Sequence, residues 1–85
     1  MIIMAIPKVS AVKALDGLKI LVSFANRRQK VYDCSALLSD SAYSALKKPA
    51  VFRKVSVAPG GYGVAWTEEL DLSEAELWEK GQAVP

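Results

Sequence analysis

Pro59-Gly60-Gly61-Tyr62-Gly63-Val64-Ala65-Trp66-Thr67-Glu68-Glu69-Leu70-Asp71-Leu72-Ser73-Glu74-Ala75-Glu76-Leu77-Trp78-Glu79-Lys80-Gly81 decides the fold, with four of the five glycines and both tryptophans. Pro59-Gly60-Gly61 is turn chemistry, because proline presets φ and glycine reaches positive φ at no steric cost. Tyr62, Val64 and Trp66 then share one face of a strand by the two-residue period. Gly63 and Ala65 leave the other face almost bare, open to close approach by another backbone or helix. Thr67-Glu68-Glu69 breaks the run before Leu70-Asp71-Leu72 resumes it. Ser73-Glu74-Ala75-Glu76 has the form of a capping box, with Ser73 as N-cap and Glu76 reaching back to its amide, and Leu72 and Leu77 as a hydrophobic staple. Glu74 and Glu76 suit the first turn and Lys80 the last, with Gly81 as the expected left-handed stop. A helix of about two turns is marginal alone. Trp78 must therefore dock on the sheet, and this reading sequesters it together with Trp66 as one clamp.

Working back from that stretch, Lys54 to Ala58, with Val55 and Val57 inward, reads as a fourth strand paired to Tyr62–Trp66 through the glycine turn. Ala50-Val51-Phe52 reads as a turn of helix that sends Phe52 into the core. Ser41 to Lys48 is a short helix capped by Asp40 or Ser41, with Tyr43, Leu46 and Ala42 inward. Pro49 ends it by turning Lys48 from helical geometry. Ser35 to Leu38 is a single helical turn. Before these come three strands in a meander. Lys8 to Leu15 is the first, and its alternation slips between Val9 and Val12 as at a bulge. Asp16-Gly17 is a two-residue hairpin signal. Leu18, Ile20, Val22 and Phe24 then share the core face of the second strand. Ala25-Asn26-Arg27-Arg28 is the next turn, with Asn26 suited to left-handed geometry. Gln29 to Cys34 is the third strand, with Val31 and Tyr32 on opposite faces.

The chain's 85 residues suffice for one domain spanning 1–85, and 52% apolar content argues against disorder. Its core is small enough that a homodimer is compatible with it. One cysteine excludes an internal disulfide, and the absence of histidine removes the commonest zinc ligand and general base. Met1-Ile2-Ile3-Met4-Ala5-Ile6 is too short for a secretory segment and extends a strand instead, unless Met4 is the initiator. No stretch is long enough to span a membrane. A bacterial-type cytoplasm is the expected compartment. Residues 1–66 carry ten Lys/Arg against three Asp, a net +7; residues 67–85 carry one Lys against five Glu and one Asp, a net −5. The simple account folds the acidic helix over the basic body and neutralises it in part. The sharper account leaves one basic surface for an acidic partner or a polyanion.

In order and spacing the chain resembles a family of short bacterial proteins known as a domain of unknown function. The resemblance rests on Pro7-Lys8-Val9, Leu21-Val22-Ser23-Phe24, Val31-Tyr32-Asp33 with Leu37-Leu38, and Phe52-Arg53-Lys54-Val55. It continues through Gly61-Tyr62-Gly63-Val64-Ala65-Trp66 and Leu70-Asp71-Leu72-Ser73 ahead of Glu76-Leu77, covering nearly the whole chain. It implies a small α+β domain with no established activity, often encoded beside another small protein in a toxin–antitoxin-like arrangement. The chain departs from the family pattern in carrying Arg27-Arg28 where glycine is common in the turn. It also lacks the helix-turn-helix that some relatives add, which weakens a repressor reading.

Candidate chemistry is sparse. Asp33-Cys34-Ser35 sets a thiol beside a carboxylate and a hydroxyl, but adjacent strand residues face opposite ways and no histidine is present to activate a nucleophile. Cys34 reads as a buried apolar side chain. Glu68, Glu69 and Asp71 are turn and helix-start acids, too few for a calcium loop. Gly60-Gly61-Tyr62-Gly63 lacks phosphate-loop spacing. No cofactor is implied. Arg27, Arg28 and Lys30 cluster at one hairpin, and Lys47, Lys48, Arg53 and Lys54 surround the helical connection. The expectation is an α+β domain, a mainly antiparallel five- or six-strand sheet with short helices on one face, including a C-terminal helix. Its expected function is non-enzymatic: a protein-interaction module, antitoxin-like, whose partner is a small neighbouring-gene protein. Nucleic-acid binding through Arg27, Arg28 and Lys30 is the second expectation.

Overall fold

A computed structural model describes residues 6–84. Of the apolar start Met1–Ile6 read as a strand extension, residues 1–5 lie outside the described residues and Ile6 is not in a strand. The meander stands as its alternation predicts: β1 (Val9–Leu15), β2 (Lys19–Phe24) and β3 (Gln29–Asp33) pair antiparallel in sequence order. The slip in β1 is a register shift between Val9 and Ala11. Ile20, Val22 and Phe24 of β2 are buried, as is Tyr32 of β3.

Both turns of the meander differ in detail from expectation. Leu15 pairs with Lys19, so the first loop is Asp16-Gly17-Leu18, with Gly17 at φ 75° and Leu18 at φ 59°. A third, left-handed residue is the common way to close a hairpin one residue longer than the tightest form. Leu18 thereby leaves the strand and packs at the core's edge, while its carbonyl accepts the Cys34 N–H at 2.8 Å. In the second turn Arg27, not Asn26, takes left-handed geometry, at φ 70°. Asn26 instead closes an Asx turn, its Oδ1 accepting the Arg28 N–H at 3.0 Å.

The middle of the chain is helical, mostly with 3-10 geometry. Asp33 caps the turn Cys34–Ser39 and Asp40 caps Ser41–Lys47, each carboxylate accepting an amide two residues on. Side chains three apart eclipse in such a helix. Tyr43 and Leu46 turn inward together, whereas Ala42, expected inward, is exposed and Ala45 is half-buried against the core. Pro49 ends this helix and also opens α1 (Pro49–Phe52), which buries Phe52.

The expected single sheet of five or six strands is in fact two antiparallel sheets. The second contains β4 (Ser56–Val57), β5 (Gly63–Thr67) and β6 (Leu70–Ser73), in that order. After α2 (Glu74–Lys80) a two-residue strand, β7 (Gln82–Ala83), returns to the first sheet, giving β1-β2-β3-β7. The cause lies at Gly81, which has φ −70° and ψ 151° and so leads straight from the helix into extended chain rather than stopping left-handed. Its need for glycine is spatial: a Cβ there would lie 2.5 Å from the Leu77 carbonyl oxygen and 3.0 Å from the Lys30 Cβ.

Gly63 meets the expectation of close approach in the severest way, since a Cβ would sit 1.9 Å from the Leu72 carbonyl oxygen on β6. Tyr62 does not share the inward face of Val64 and Trp66. The turn, with Gly60 at φ 74° and Gly61 at φ 76°, takes in one further residue, leaving Tyr62 60% exposed. Its ring carries the Lys8 ammonium at 3.9 Å.

Ser73 caps α2 as expected, its Oγ accepting the Glu76 N–H at 3.2 Å, and Leu72 and Leu77 are buried. Glu76 does not complete the reciprocal half of the box. Its Oε2 accepts the Tyr32 hydroxyl at 2.7 Å and its Oε1 faces Lys80 at 3.5 Å. A buried phenol that needs an acceptor takes the carboxylate before the solvent-reachable amide does.

The shared tryptophan clamp is also corrected. Trp66 stacks on Phe52, centroids 6.1 Å apart, and its Nε1 donates to the Phe52 carbonyl at 3.1 Å. Trp78 instead sets its ring against Phe24, edge to face at 5.0 Å. The two indoles hold different parts of one core: Trp78 on α2 reaches Phe24 of β2, whereas Trp66 on β5 reaches Phe52 of α1. Among the described residues, no helix is long and apolar enough to cross a membrane.

Candidate functional site

The β2–β3 hairpin carries the three basic residues singled out from the sequence, and the structure gives them different fates. Lys30 is already engaged. Its Nζ donates to the Trp78 carbonyl and lies 4.0 Å above the Trp78 ring. A cation on a carbonyl in the last turn of a helix satisfies one of the acceptors left open there and complements the helix dipole. Lys30 therefore fastens the end of α2 to β3. Arg27 and Arg28 are exposed at the tip, and among the described residues neither forms an ion pair.

A cleft of about 600 Å³ opens between this tip and the chain end, lined by Asn26, Arg27, Arg28, Gln29, Lys30, Trp78, Ala83 and Val84. Among the described residues no carboxylate lines it. Lys30, the Trp78 ring and the end of β7 bring together parts of the chain about fifty residues apart, as a three-dimensional site must. Among the described residues Val84, 41% exposed, is one of two large apolar side chains left open to solvent, with Tyr62.

The same wall of the cleft is a sheet edge. Lys30 pairs with Ala83 and Val31 with Gln82, and the Val84 N–H donates to the Gln29 carbonyl at 3.1 Å. Hydrogen-bonded and non-bonded pairs alternate along an antiparallel ladder. Gln29 and Val84 form a bonded pair, so Ala83 is the non-bonded one, and its own N–H and C=O point away from β3. β7 is last in its sheet. These backbone groups thus face outward, beside Arg27 and Arg28.

Sequence reasoning found the three cations but missed the rest of the wall. It assigned Trp78 to a purely core role, whereas the indole is half-buried and lines the cleft with its outer part. Gln82-Ala83-Val84 carries no strand pattern of its own; only pairing with β3 makes it one.

The acidic helix lies against the body and neutralises it in part, as the simple account expects. Among the described residues one ion pair joins the two, Lys8 to Glu74 at 3.3 Å, while Lys80–Glu76 lies within α2. The second basic group, Lys47, Lys48, Arg53 and Lys54, is exposed. Lys47 and Arg53 rim a hollow of about 310 Å³ over Leu18, Leu46 and Phe52, but Asp16 shares that rim and the Arg53 Nε donates to the Pro49 carbonyl at 3.3 Å.

The Asp33-Cys34-Ser35 triplet is built for structure. The Asp33 Oδ1 accepts the Ser35 N–H at 2.9 Å, a bond that holds its carboxyl below the usual carboxylate range. Cys34 is fully buried, and that burial, with the Asp33 charge adding, pushes its thiol up to about 12. A thiol so shifted is protonated at neutral pH and a poor nucleophile. Burial and the bond to Glu76 also push the Tyr32 hydroxyl upward, which keeps it a donor. Among the described residues no three carboxylates or thiols converge to hold a metal ion.

A family model described as a protein of unknown function, DUF2442, matches residues 9–83. The chain belongs to that family, which confirms the unknown-function part of the resemblance. No curated protein and no solved structure matches the chain.

Proposed function

We propose that this chain is a non-enzymatic protein-interaction module, and that its binding surface is the cleft at the β2–β3 hairpin. The observation that carries the reading is the pair of guanidiniums, Arg27 and Arg28, beside an outward-facing sheet edge in a cleft where, among the described residues, they meet no carboxylate. Uncompensated charge next to open backbone donors and acceptors suits a complementary protein surface. Cys34, the strongest nucleophile in the chain, is sealed in the core, which supports binding over catalysis.

On this reading the chain is the antitoxin-like member of a bacterial, cytoplasmic two-protein system, and its partner is the small protein encoded beside it. The genomic part of this proposal comes from the family resemblance. Co-expression with the neighbouring gene product, followed by size-exclusion chromatography, tests it. The two are expected to co-elute at micromolar concentration, and consistent separate elution would count decisively against the idea.

A second reading, nucleic-acid binding, is favoured by Trp78 lying among Arg27, Arg28 and Lys30 in one cleft. Such binding would weaken steeply with added salt. It would also be lost in the double variant Arg27→Ala, Arg28→Ala; undiminished binding by that variant excludes the hairpin as the contact.

A further inference from the structure

Resting on the protein-binding reading, we propose that the occupant of the cleft is an extended acidic segment of the partner. It adds a strand to β7 at Ala83 and lays carboxylates against Arg27 and Arg28. Three observations lead there.

The first is register. The Val84 amide is spent on Gln29, so the N–H and C=O of Ala83 face outward as one donor and one acceptor, the pair that an added antiparallel strand takes up. Natural sheet edges are usually blunted by shortness, charge, proline or a bulge, and β7, two residues long, has the first of these alone. Gln82, Ala83 and Val84 carry neither charge nor proline and all are exposed.

The second is charge. Ala83 and Val84 line the same cleft as Arg27 and Arg28, so alternate side chains of an added strand reach the guanidiniums. Arginine forks bind carboxylates in a two-bond geometry. Among the described residues the cleft wall offers no carboxylate to compete. Val84 adds an apolar contact for a residue between the acids.

The third decides between a peptide and a nucleic acid. Binding of single strands draws on aromatic faces that bases can stack against. The Trp78 ring has the Lys30 ammonium over one face and packs against Phe24. Backbone pairing and charge are what the cleft has to offer, and both fit an extended peptide.

The test uses the full chain and a fluorescent synthetic peptide alternating glutamate with valine, read by anisotropy. Saturable binding is expected, weakened at least about tenfold when glutamate is replaced by lysine. The double variant R27E/R28E should lose at least about tenfold in affinity. Ala83→Pro should lose a similar factor while keeping its fold, because the N–H it removes points away from β3 and edge strands accept proline there. Circular dichroism and thermal melting verify that the fold is kept. A peptide N-methylated at alternate residues separates backbone pairing from charge, and one of its two registers should fail to bind.

The proposal is overturned if the wild type shows no saturable binding, or if R27E/R28E or a folded Ala83→Pro binds as well as wild type. It is likewise overturned if an oligothymidylate binds more tightly than the acidic peptide. Co-elution with the neighbouring gene product, repeated with both variants, separates this proposal from the reading beneath it. A partner that stays bound to both variants leaves the protein-binding reading intact and removes this site. A partner that never binds wild type removes the neighbour-partner reading, while the peptide titration still judges the cleft.

Discussion

The two tryptophans mark two ends of one core that are built to different standards. Around Trp66 everything is closed: the ring stacks on Phe52, its N–H has an acceptor, and β5 approaches β6 so closely that only glycine fits at residue 63. Around Trp78 the structure stays open. A cation rests on the ring, the last strand has two residues, and two guanidiniums at the tip have no ion-pair partner among the described residues. The first end contributes stability, and the second keeps interaction capacity unspent. Local looseness of this kind is where binding surfaces are drawn from, because a fully satisfied region has nothing left to offer a partner.

Substitutions at the closed end should therefore cost most. Gly63→Ala puts a methyl onto the Leu72 carbonyl, and separating β5 from β6 should cost more than about 3 kcal/mol. Urea denaturation reads this directly, and a loss within experimental error would mean the strands can part without consequence. Trp66→Phe keeps most of the stacking but takes from the Phe52 carbonyl the nearer of its two donors, leaving the Val55 N–H at 3.4 Å, for an expected loss of about 0.5–1.5 kcal/mol. The matched Trp78→Phe should cost less, and an equal loss would erase the contrast between the ends.

At the open end, Lys30→Met keeps the aliphatic stem over the indole and removes the charge. The lost carbonyl bond and cation–π contact should together cost about 1–2 kcal/mol. Hydrogen exchange in α2 should quicken in the same variant, since its last turn loses a fastening. Arg27→Gly should move stability the other way. Left-handed geometry strains arginine by about 1–2 kcal/mol, and glycine's greater freedom in the unfolded chain returns about 0.5–1 kcal/mol of that. A net gain of a few tenths to about 1 kcal/mol in chemical denaturation is expected. A gain in stability with a loss in partner affinity would show that the strain is carried for the sake of the guanidinium.

The smallest energetic effect is the most direct optical test. Iodide, an anion, should quench the Trp78 emission preferentially, and added salt should reduce the preference as it screens the cleft. Caesium should do neither. Separate single-tryptophan variants assign the signal, and equal quenching of both indoles would show that the two ends are alike after all.

Much of the fold was legible because its signals are local. The alternation of Ile20, Val22 and Phe24, the slip after Val9, the turn at Pro59-Gly60-Gly61, the Ser73 cap and the break at Pro49 each act within a few residues of themselves. What misled also has local causes. A hairpin signal such as Asp16-Gly17 specifies a turn but not its length, and Asn26 spends its side chain on an Asx turn that pushes the left-handed residue to Arg27. The site was legible only as charge. Arg27, Arg28 and Lys30 stand out in the sequence, yet nothing there separates the lysine that fastens a helix from the arginines that stay exposed.

The sequence by itself determined the class of element over most of the chain, the antiparallel meander, most residues of the inner face and the absence of histidine, because periodicity, capping and composition need no distant partner. Tertiary structure alone decided that the strands divide into two sheets, that each tryptophan finds a different phenylalanine, that Glu76 serves Tyr32, and that the last three exposed residues become an edge beside two arginines. Those outcomes depend on which surfaces meet across some forty to fifty residues of chain, as Tyr32 meets Glu76 over 44 and Lys30 meets Trp78 over 48. Competition among packing partners is settled only when the whole core closes.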